Sequence, residues 1–182
     1  QRQMCIRDSY YTWISNVNYI LAEEETMSGS ETEKNYVLGQ AYAVRAYSYF
    51  MLAQMFSRTY KGHESEPCVP LYTEPTDIAT EGKGRATVEE VYQQITSDLD
   101  KAITMLGNSG KRKHISHINE AVASGIKARV ALVMEDWQTA LDAANAAISK
   151  SGCSIGTGTA VTGGMNDATA NNVMWAAEII AD

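Results

Sequence analysis

The stretch of residues 41–56 constrains the fold more than any other, because it is small or apolar on nearly every side of a helix yet contains an arginine. A helix that is apolar on most sides is buried on most sides. Arg45, Ser48 and Gln54 interrupt the run, so it falls short of the roughly 20 clean apolar residues that a membrane span needs. We therefore predict a central scaffold helix, in which the guanidinium of Arg45 is buried against a carboxylate or carbonyl partner.

Helical periodicity and end signals predict four or five helices. Ser30 and Thr87 each begin a sequence with the spacing of a capping box, in which the N-cap hydroxyl and the carboxylate three residues later satisfy free backbone N–H groups. Apolar residues recur after both with the period of a helix. The predicted helices are residues 10–25, 30–57, 87–107, 119–134 and 137–150, so the fold class is all-α.

The last two predicted helices should form an antiparallel pair, because only two residues separate them. Residues 128–148 place small alanines where helices touch, which is typical of tetratricopeptide-like stacking. A weak internal repeat aligns Arg45 with Arg129. We therefore predict tetratricopeptide-like helical hairpins with structural roles for Arg45, Arg129 and Trp137. Trp13 and Trp137 both follow the helical period, and we expect them to pack in the core.

Two segments are predicted as irregular loops. Residues 57–86 contain all three prolines of the chain and a glycine-rich run. A loop of this length is often functional. Its aromatic residues Tyr60, His63 and Tyr72 are the candidate ligand contacts, because flat rings can cover the apolar faces of sugars. Residues 151–172 are rich in Gly, Thr, Ser and Asn and form the second predicted loop.

Charge argues against nucleic acid as a partner. The chain has 22 acidic and 15 basic residues, a net charge of −7, and its basic residues are scattered except at residues 111–113. Binding to a phosphate backbone needs a concentrated basic face. The absence of such a face favours other kinds of ligand.

Motifs for metal binding and catalysis are weak. His114, His117 and Glu120 have helical spacing, but the three basic residues before them oppose a cation, and we predict a solvated helix start with Ser116 as N-cap. Residues 156–164 are glycine-rich but lack the Lys-Ser/Thr of a phosphate-binding loop, and a flexible loop is predicted. No nucleophile or metalloprotease motif occurs. We therefore predict no metal, no cofactor and no enzymatic activity.

Both ends of the chain suggest a fragment. Residues 3–9, QMCIRDS, resemble the translation of a transposase end left by sequencing adapters, so we expect residues 1–9 not to be native. Without Cys5, the isolated Cys68 and Cys153 remain and are predicted to be free thiols. The start lacks the order of a secretory signal, and the chain ends in an apolar segment. We expect residues 10–182 to be part of a larger helical-repeat domain.

The order of these elements resembles the SusD/RagB family of nutrient-binding outer-membrane lipoproteins. The segment GQAYAVRAYSYF at residues 39–50 is similar to the family's Gly-x-Ala-x-x-x-Arg-Ala-x-x-Tyr-Phe helix. Other matching blocks are WISNVNYIL at 13–21, VPL at 69–71, RATVEEVY at 85–92, DLDKAI at 98–103, residues 121–132, DW at 136–137 with Ala140, and NVMWAAE at 172–178. These blocks occur in the family's order along nearly the whole chain.

The resemblance implies a function that composition does not. Family members are lipid-anchored, surface-exposed proteins of the outer membrane that capture a glycan or similar nutrient and deliver it to a SusC-like TonB-dependent transporter. The lipid anchor would lie outside this chain, and the helical repeats would form the scaffold. No ligand-binding residue can be transferred from the family by a motif. The alternative from another class is an intracellular tetratricopeptide-type adaptor that binds peptides.

Overall fold

Five helices make up most of the part of the chain that the structure describes, within the predicted four or five. The computed structural model describes residues 2–158, 162 and 167–177. Its elements are α1 (Arg2–Ala22), α2 (Glu31–Phe56), β1 (Pro67–Pro70), β2 (Arg85–Thr87), α3 (Val88–Gly107), α4 (Glu120–Met134) and α5 (Trp137–Ser151). Helix α1 begins eight residues before its predicted start and runs through residues 2–9, whose non-native origin stays a prediction. No helix among the described residues is long and apolar enough to cross a membrane.

Both predicted capping boxes form. The hydroxyl of Ser30 accepts from the backbone N–H of Glu33 at 3.3 Å, and the Glu33 carboxylate accepts from the N–H of Ser30 at 3.3 Å. The same exchange joins Thr87 and Glu90 at 3.1 and 2.8 Å. Hydrogen bonds from the hydroxyl and then the N–H of Ser30 lower the pKa of Glu33, and those from the N–H and then the hydroxyl of Thr87 lower the pKa of Glu90. The two motifs therefore set the starts of α2 and α3.

The start of α4 differs from the prediction. Asn119, and not Ser116, is the N-cap, and its side-chain oxygen accepts from the N–H of Val122 at 3.0 Å. The Ser116 hydroxyl is instead paired with Nδ1 of His114 at 2.8 Å. At the other end of α4, Glu135 adopts the left-handed conformation with φ of 60°, and the chain turns into α5. The predicted antiparallel pair of α4 and α5 is confirmed.

The core forms where α2 packs against α1 and α3, while α4 packs against α3 and α5. The rings of Phe50 and Tyr92 meet edge to face at 6.4 Å between α2 and α3. The other largest fully buried apolar side chains are Ile14, Tyr49, Leu52, Val88, Val91, Ile95, Leu99 and Val130. The predicted central helix, α2, therefore lies inside the packed helices and contributes several of these side chains.

The two tryptophans are not in the core, and that prediction was wrong. Trp13 is 47% exposed and Trp137 is 63% exposed. Neighbouring helix positions are about 100° apart, so the burial of Ile14 turns Trp13 outward. Helix α5 buries only Ala140, Ala143 and Ala147, and Trp137, at its first position, lies on another side of the helix.

The proline-rich loop contains regular structure that was not predicted. Strands β1 and β2 pair antiparallel, with Pro67 opposite Thr87 and Pro70 opposite Arg85. Each strand has an unpaired edge, which is where proline is tolerated. The Arg85 side chain donates to the carbonyl of Cys68 at 2.5 Å, and Cys68 itself is buried. Residues 152–158 and 167–172 of the second predicted loop contain turns but no helix or strand. Residues 159–161 and 163–164 of the glycine-rich segment lie outside the described residues.

Candidate functional site

A buried polar network lies between α1, α2 and α3. The guanidinium of Arg45 donates from Nε and Nη2 to the two carboxylate oxygens of Asp98, at 2.7 and 2.8 Å. Nη1 of Arg45 donates to the side-chain oxygen of Asn18 at 2.9 Å. All three residues are at most 5% exposed. The prediction that Arg45 is buried with a partner is therefore confirmed.

This network extends to the end of β1 and the loop that follows it, and we call residues 70–76 the anchored loop. The amide nitrogen of Asn18 donates to the carbonyls of Tyr72 and Glu74, at 3.1 and 3.0 Å. The hydroxyl of Tyr49 donates to the carbonyl of Tyr72 at 2.8 Å and accepts from its N–H at 2.7 Å. Three further bonds join Tyr11 to Pro70 O, Arg45 to Thr73 O and Tyr19 to Thr76 O. Side chains of α1 and α2 therefore fix the backbone of this loop.

A cavity of about 250 Å³ lies between α1 and the anchored loop with the turn that follows it, and we call it the α1 groove. Helix α1 contributes residues one turn apart, because positions i, i+4 and i+7 share a helix face. The loop side supplies an aromatic ring, hydroxyls and a carboxylate. Its principal lining residues are Tyr11, Ser15, Asn18, Tyr72, Thr76 and Asp77.

The ring of Tyr72 is held in place at this groove. It meets the ring of Tyr11 edge to face with centroids 6.1 Å apart. The ammonium of Lys83 lies 5.5 Å from the Tyr72 centroid, and the N–H of Lys83 donates to the Tyr72 hydroxyl at 3.0 Å. Burial raises the pKa of the Tyr11 phenol, so that ring stays neutral near pH 7. Two aromatic side chains thus line one part of the groove.

Asp77 is the acidic residue of the α1 groove. One of its oxygens, Oδ1, accepts from the hydroxyl of Thr80 at 2.9 Å and from the N–H of Ala79 at 3.0 Å. The hydrogen bond from Thr80, followed by that from Ala79, lowers the pKa of Asp77. Asp77 is therefore a carboxylate at neutral pH.

Of the three predicted ligand contacts, only Tyr72 lines this groove. Tyr60 lies at the start of α3, where its hydroxyl bonds to the carboxylate of Glu89 and its ring meets that of Tyr92 at 5.1 Å. His63 is half-buried, and its Nδ1 atom has no hydrogen-bond partner among the described residues. Ligand contact by these three residues stays a prediction.

The predicted structural arginines have different environments. Arg45 is buried, whereas Arg129 is exposed and its guanidinium carbon lies 5.9 Å from the centroid of Phe50. The internal repeat therefore aligns two arginines with different environments, and the structural role of Arg129 stays a prediction. Within the described residues, no group of three or more His, Cys, Asp and Glu side chains could hold a metal ion. In the histidine-containing segment, Nδ1 of His117 instead pairs with the hydroxyl of Tyr36 at 2.6 Å.

The sequence reasoning did not identify Ser15 or Asp77 as site residues. Ser15 is one of several polar residues of a long helix, and Asp77 belongs to a polar turn, so neither has a local motif. Asn18 carried a usable signal, because it is a polar residue beside the apolar positions Ile14 and Val17 of the same helix face. A buried polar residue at such a position needs hydrogen-bond partners.

Comparison with solved structures shows the same helical fold in larger proteins. A SusD-like carbohydrate-binding protein from Bacteroides vulgatus is 28% identical, with a TM-score of 0.84 over 91% of this chain and 35% of that chain. A SusD superfamily protein from Bacteroides thetaiotaomicron is 26% identical, with a TM-score of 0.74 over 82% and 33%. The chain thus spans about a third of the length of these proteins. Among curated proteins, none gives a significant match.

A family comparison agrees with the structural one. The SusD-like family model described as "Starch-binding associating with outer membrane" matches residues 3–132, which is more than half of the chain. The match includes α1, α2, both strands and α3, and therefore the buried network and the α1 groove. The resemblance found in the sequence is confirmed, and the chain belongs to the SusD-like family.

Proposed function

We propose that this chain is the helical part of a carbohydrate-binding protein that works at the outer membrane. The observation that carries the proposal is the family match over residues 3–132, whose description names starch binding and association with the outer membrane. The likeness to a SusD-like carbohydrate-binding protein at a TM-score of 0.84 supports it. The ligand is a glycan or a similar nutrient, bound without covalent change.

The lining of the α1 groove supports binding more than catalysis. Among its described lining residues, Asp77 is the single carboxylate. Hydrolysis of a glycosidic bond ordinarily uses two carboxyl groups on either side of the bond, about 5 to 9.5 Å apart. The groove therefore offers hydrogen bonds and ring contacts, and it lacks the acid and nucleophile pair of a glycosidase.

We further propose that the complete protein is held at the cell surface by a lipid anchor outside this chain and delivers its ligand to a SusC-like TonB-dependent transporter. Hydrogen bonds fix the loop after β1 to α1 and α2, so the helices and this loop can form one rigid surface for such an interaction. A rigid binding surface avoids the entropy cost of ordering a loop on association.

The test uses the complete gene product, co-expressed with a SusC-like transporter from the same genome. Affinity purification should recover both proteins, and calorimetry against a panel of soluble neutral glycans should detect at least one ligand. A free peptide library serves as the comparison, because the alternative function is a peptide-binding adaptor. Binding of peptides but of no glycan, without transporter in the purified material, would overturn the proposal.

A further inference from the structure

We propose that the α1 groove binds one ring of a neutral pyranose sugar, which names a ligand subsite and rests on the proposed carbohydrate-binding function. Tyr72 would provide the flat apolar contact. Ser15, Thr76 and Asp77 would provide the hydrogen bonds to sugar hydroxyls. The groove combines these groups within one cavity between α1 and the loop side.

The size of the groove suits a single ring. Its volume of about 250 Å³ is slightly below the range of about 300 to 1,000 Å³ that is usual for drug-sized ligands. An oligosaccharide would therefore place one residue in the groove and extend along the surface. Tyr19 lies one turn after Ser15 on α1, and its ring is exposed. Its hydroxyl donates to the carbonyl of Thr76, so this ring lies beside the anchored loop.

The groove contains polar atoms whose hydrogen-bonding capacity is unused. The hydroxyls of Ser15 and Thr76 make no hydrogen bond to any described residue, and the bonds that Asp77 accepts from the Ala79 N–H and the Thr80 hydroxyl both go to Oδ1. The amide of Asn18, in contrast, is fully engaged with Arg45 and the loop. Sugar hydroxyls both donate and accept, so two hydroxyls and one carboxylate oxygen complement a ring with several of them.

The groove is also formed before any ligand arrives. The backbone beside Tyr72 is held by Asn18 and Tyr49, and the Tyr72 ring is held by contacts with Tyr11 and Lys83. The ligand therefore does not have to order the loop, which lowers the entropy cost of binding. Substitution of the Tyr72 side chain should leave the loop in place, since Asn18 and Tyr49 bond to its backbone.

The Asp77 carboxylate favours a neutral sugar over an acidic one beside it, whereas the ammonium of Lys83 lies over the Tyr72 ring. Asp77 is ionised at neutral pH, and the chain as a whole carries a net charge of −7. A uronic or sialic acid would bring a second carboxylate close to that of Asp77, and like charges repel. Neutral hexoses avoid this repulsion and can donate hydroxyl hydrogen bonds to Asp77.

The experiment titrates the full 182-residue chain with methyl α-glucoside, methyl α-galactoside and methyl α-mannoside and follows backbone NMR shifts. We expect saturable shifts around Tyr72 and Asp77 for at least one glycoside, with a dissociation constant in the millimolar range typical of one small ligand. Tyr72→Ala and Asp77→Asn should each weaken binding by about tenfold, the effect of losing one good contact. Methyl glucuronide should bind more weakly than the neutral glycosides to the unaltered chain.

Matched controls lie outside the groove. Glu81→Gln removes a carboxylate from the same long loop, and Trp137→Ala removes an exposed aromatic ring from α5; both should leave the affinity unchanged. Circular dichroism of every variant shows whether it is folded. Saturable binding that Tyr72→Ala and Asp77→Asn do not weaken would overturn the subsite, and so would shifts at none of the groove residues. A failure of the proposed function can be distinguished from a failure of this subsite. In that case the complete gene product would bind no glycan.

Discussion

Arg45 on α2 and Asp98 on α3 form a two-bond ion pair in the interior, with side-chain exposures of 6% and 1%. Their hydrogen-bonding capacity is largely satisfied. Gln94 donates to Oδ1 of Asp98 at 2.9 Å, and Arg45 also donates to Asn18 and to the carbonyl of Thr73. An ion pair of this kind is costly to desolvate, so its value depends on complete pairing. The pair therefore links the packing of α2 against α3 to the position of the anchored loop.

Removing one partner of this pair should destabilise the fold strongly. We expect Asp98→Asn or Arg45→Met to lower the free energy of unfolding by about 3 to 5 kcal/mol, because each leaves an uncompensated buried charge or buried polar group. The double variant Arg45→Met with Asp98→Leu should cost less than the sum of the single changes. Urea denaturation measures all three.

The control for this prediction is the more exposed ion pair of Lys127 and Asp100, in which Nζ and Oδ1 are 2.5 Å apart. Asp100→Asn should cost about 1 kcal/mol or less, as expected of an ion pair near the surface. Equal losses for Asp98→Asn and Asp100→Asn would show that burial of the Arg45 pair does not carry the effect.

Asn18→Ala should release the anchored loop. The change removes two donors to the carbonyls of Tyr72 and Glu74 and the acceptor for Arg45. We expect a loss of about 1 to 3 kcal/mol for each buried group left unpaired, together with faster hydrogen exchange and proteolysis in residues 70–83. Tyr19→Phe is the matched control, since it removes one exposed bond to the same loop. Unchanged exchange in the Asn18 variant would show that the loop is held by other contacts.

Local sequence signals located the helices better than the contacts between them. The capping boxes at Ser30 and Thr87 predicted two helix starts, because both partners of each box lie within four residues. The apolar residues around Arg45 predicted that it is buried. Its partner Asp98 lies 53 residues away and could not be identified from either segment. The strands were not predicted, because the prolines were taken to exclude regular structure. The hydrogen bonds from the Arg85 side chain to the carbonyls of Pro67 and Cys68 also join residues that are distant in sequence.

The candidate site depends even more on distant contacts. Tyr72 was predicted from its place in a long aromatic loop, yet the same reasoning also selected Tyr60, which lies instead against Glu89 and Tyr92. The α1 groove exists because α1 meets a loop more than 50 residues later, through bonds such as that from Asn18 to Tyr72. The sequence around Ser15 or Asp77 contains no local pattern that predicts this contact.

Gly39→Ala should destabilise the protein although alanine is the better helix former. A Cβ atom at this position would lie 2.7 Å from Cγ of Leu106 and 3.2 Å from its backbone nitrogen. The gain in helix propensity is about 1 kcal/mol, and overpacking of this kind costs about 1 to 3 kcal/mol. Thermal or urea unfolding should therefore show a net loss.

Gly107→Ala is the matched control for that change. The three atoms nearest to its Cβ would be the carboxylate atoms of Glu120, at 3.3 to 3.5 Å, beside the last turn of α3. We expect this variant to be as stable as the unaltered protein or slightly more stable. A Gly39 variant that gains stability like the Gly107 variant would show that α2 and α3 can move apart at no cost.

Alkaline pH should destabilise the fold through its buried tyrosines. Burial raises the pKa of Tyr92 to about 12, and burial followed by the hydrogen bond to Glu89 raises that of Tyr60 to about 12. An unfolded tyrosine has a pKa of about 10. The contribution of each phenol to stability is therefore fully present below pH 10 and is lost as pH rises from 10 towards 12.

Tyr92→Phe tests this pH dependence, because it keeps the ring against Phe50 and removes the ionisable hydroxyl. Between pH 10 and 12 the unfolded state has released a proton that the folded state retains, so each such tyrosine contributes a slope of up to about 1.4 kcal/mol per pH unit. Urea denaturation at pH 9, 10 and 11 should show a shallower loss for Tyr92→Phe than for the unaltered protein. A Tyr92 variant with the same slope as the unaltered protein would mean that this phenol ionises with equal ease in the folded and unfolded states.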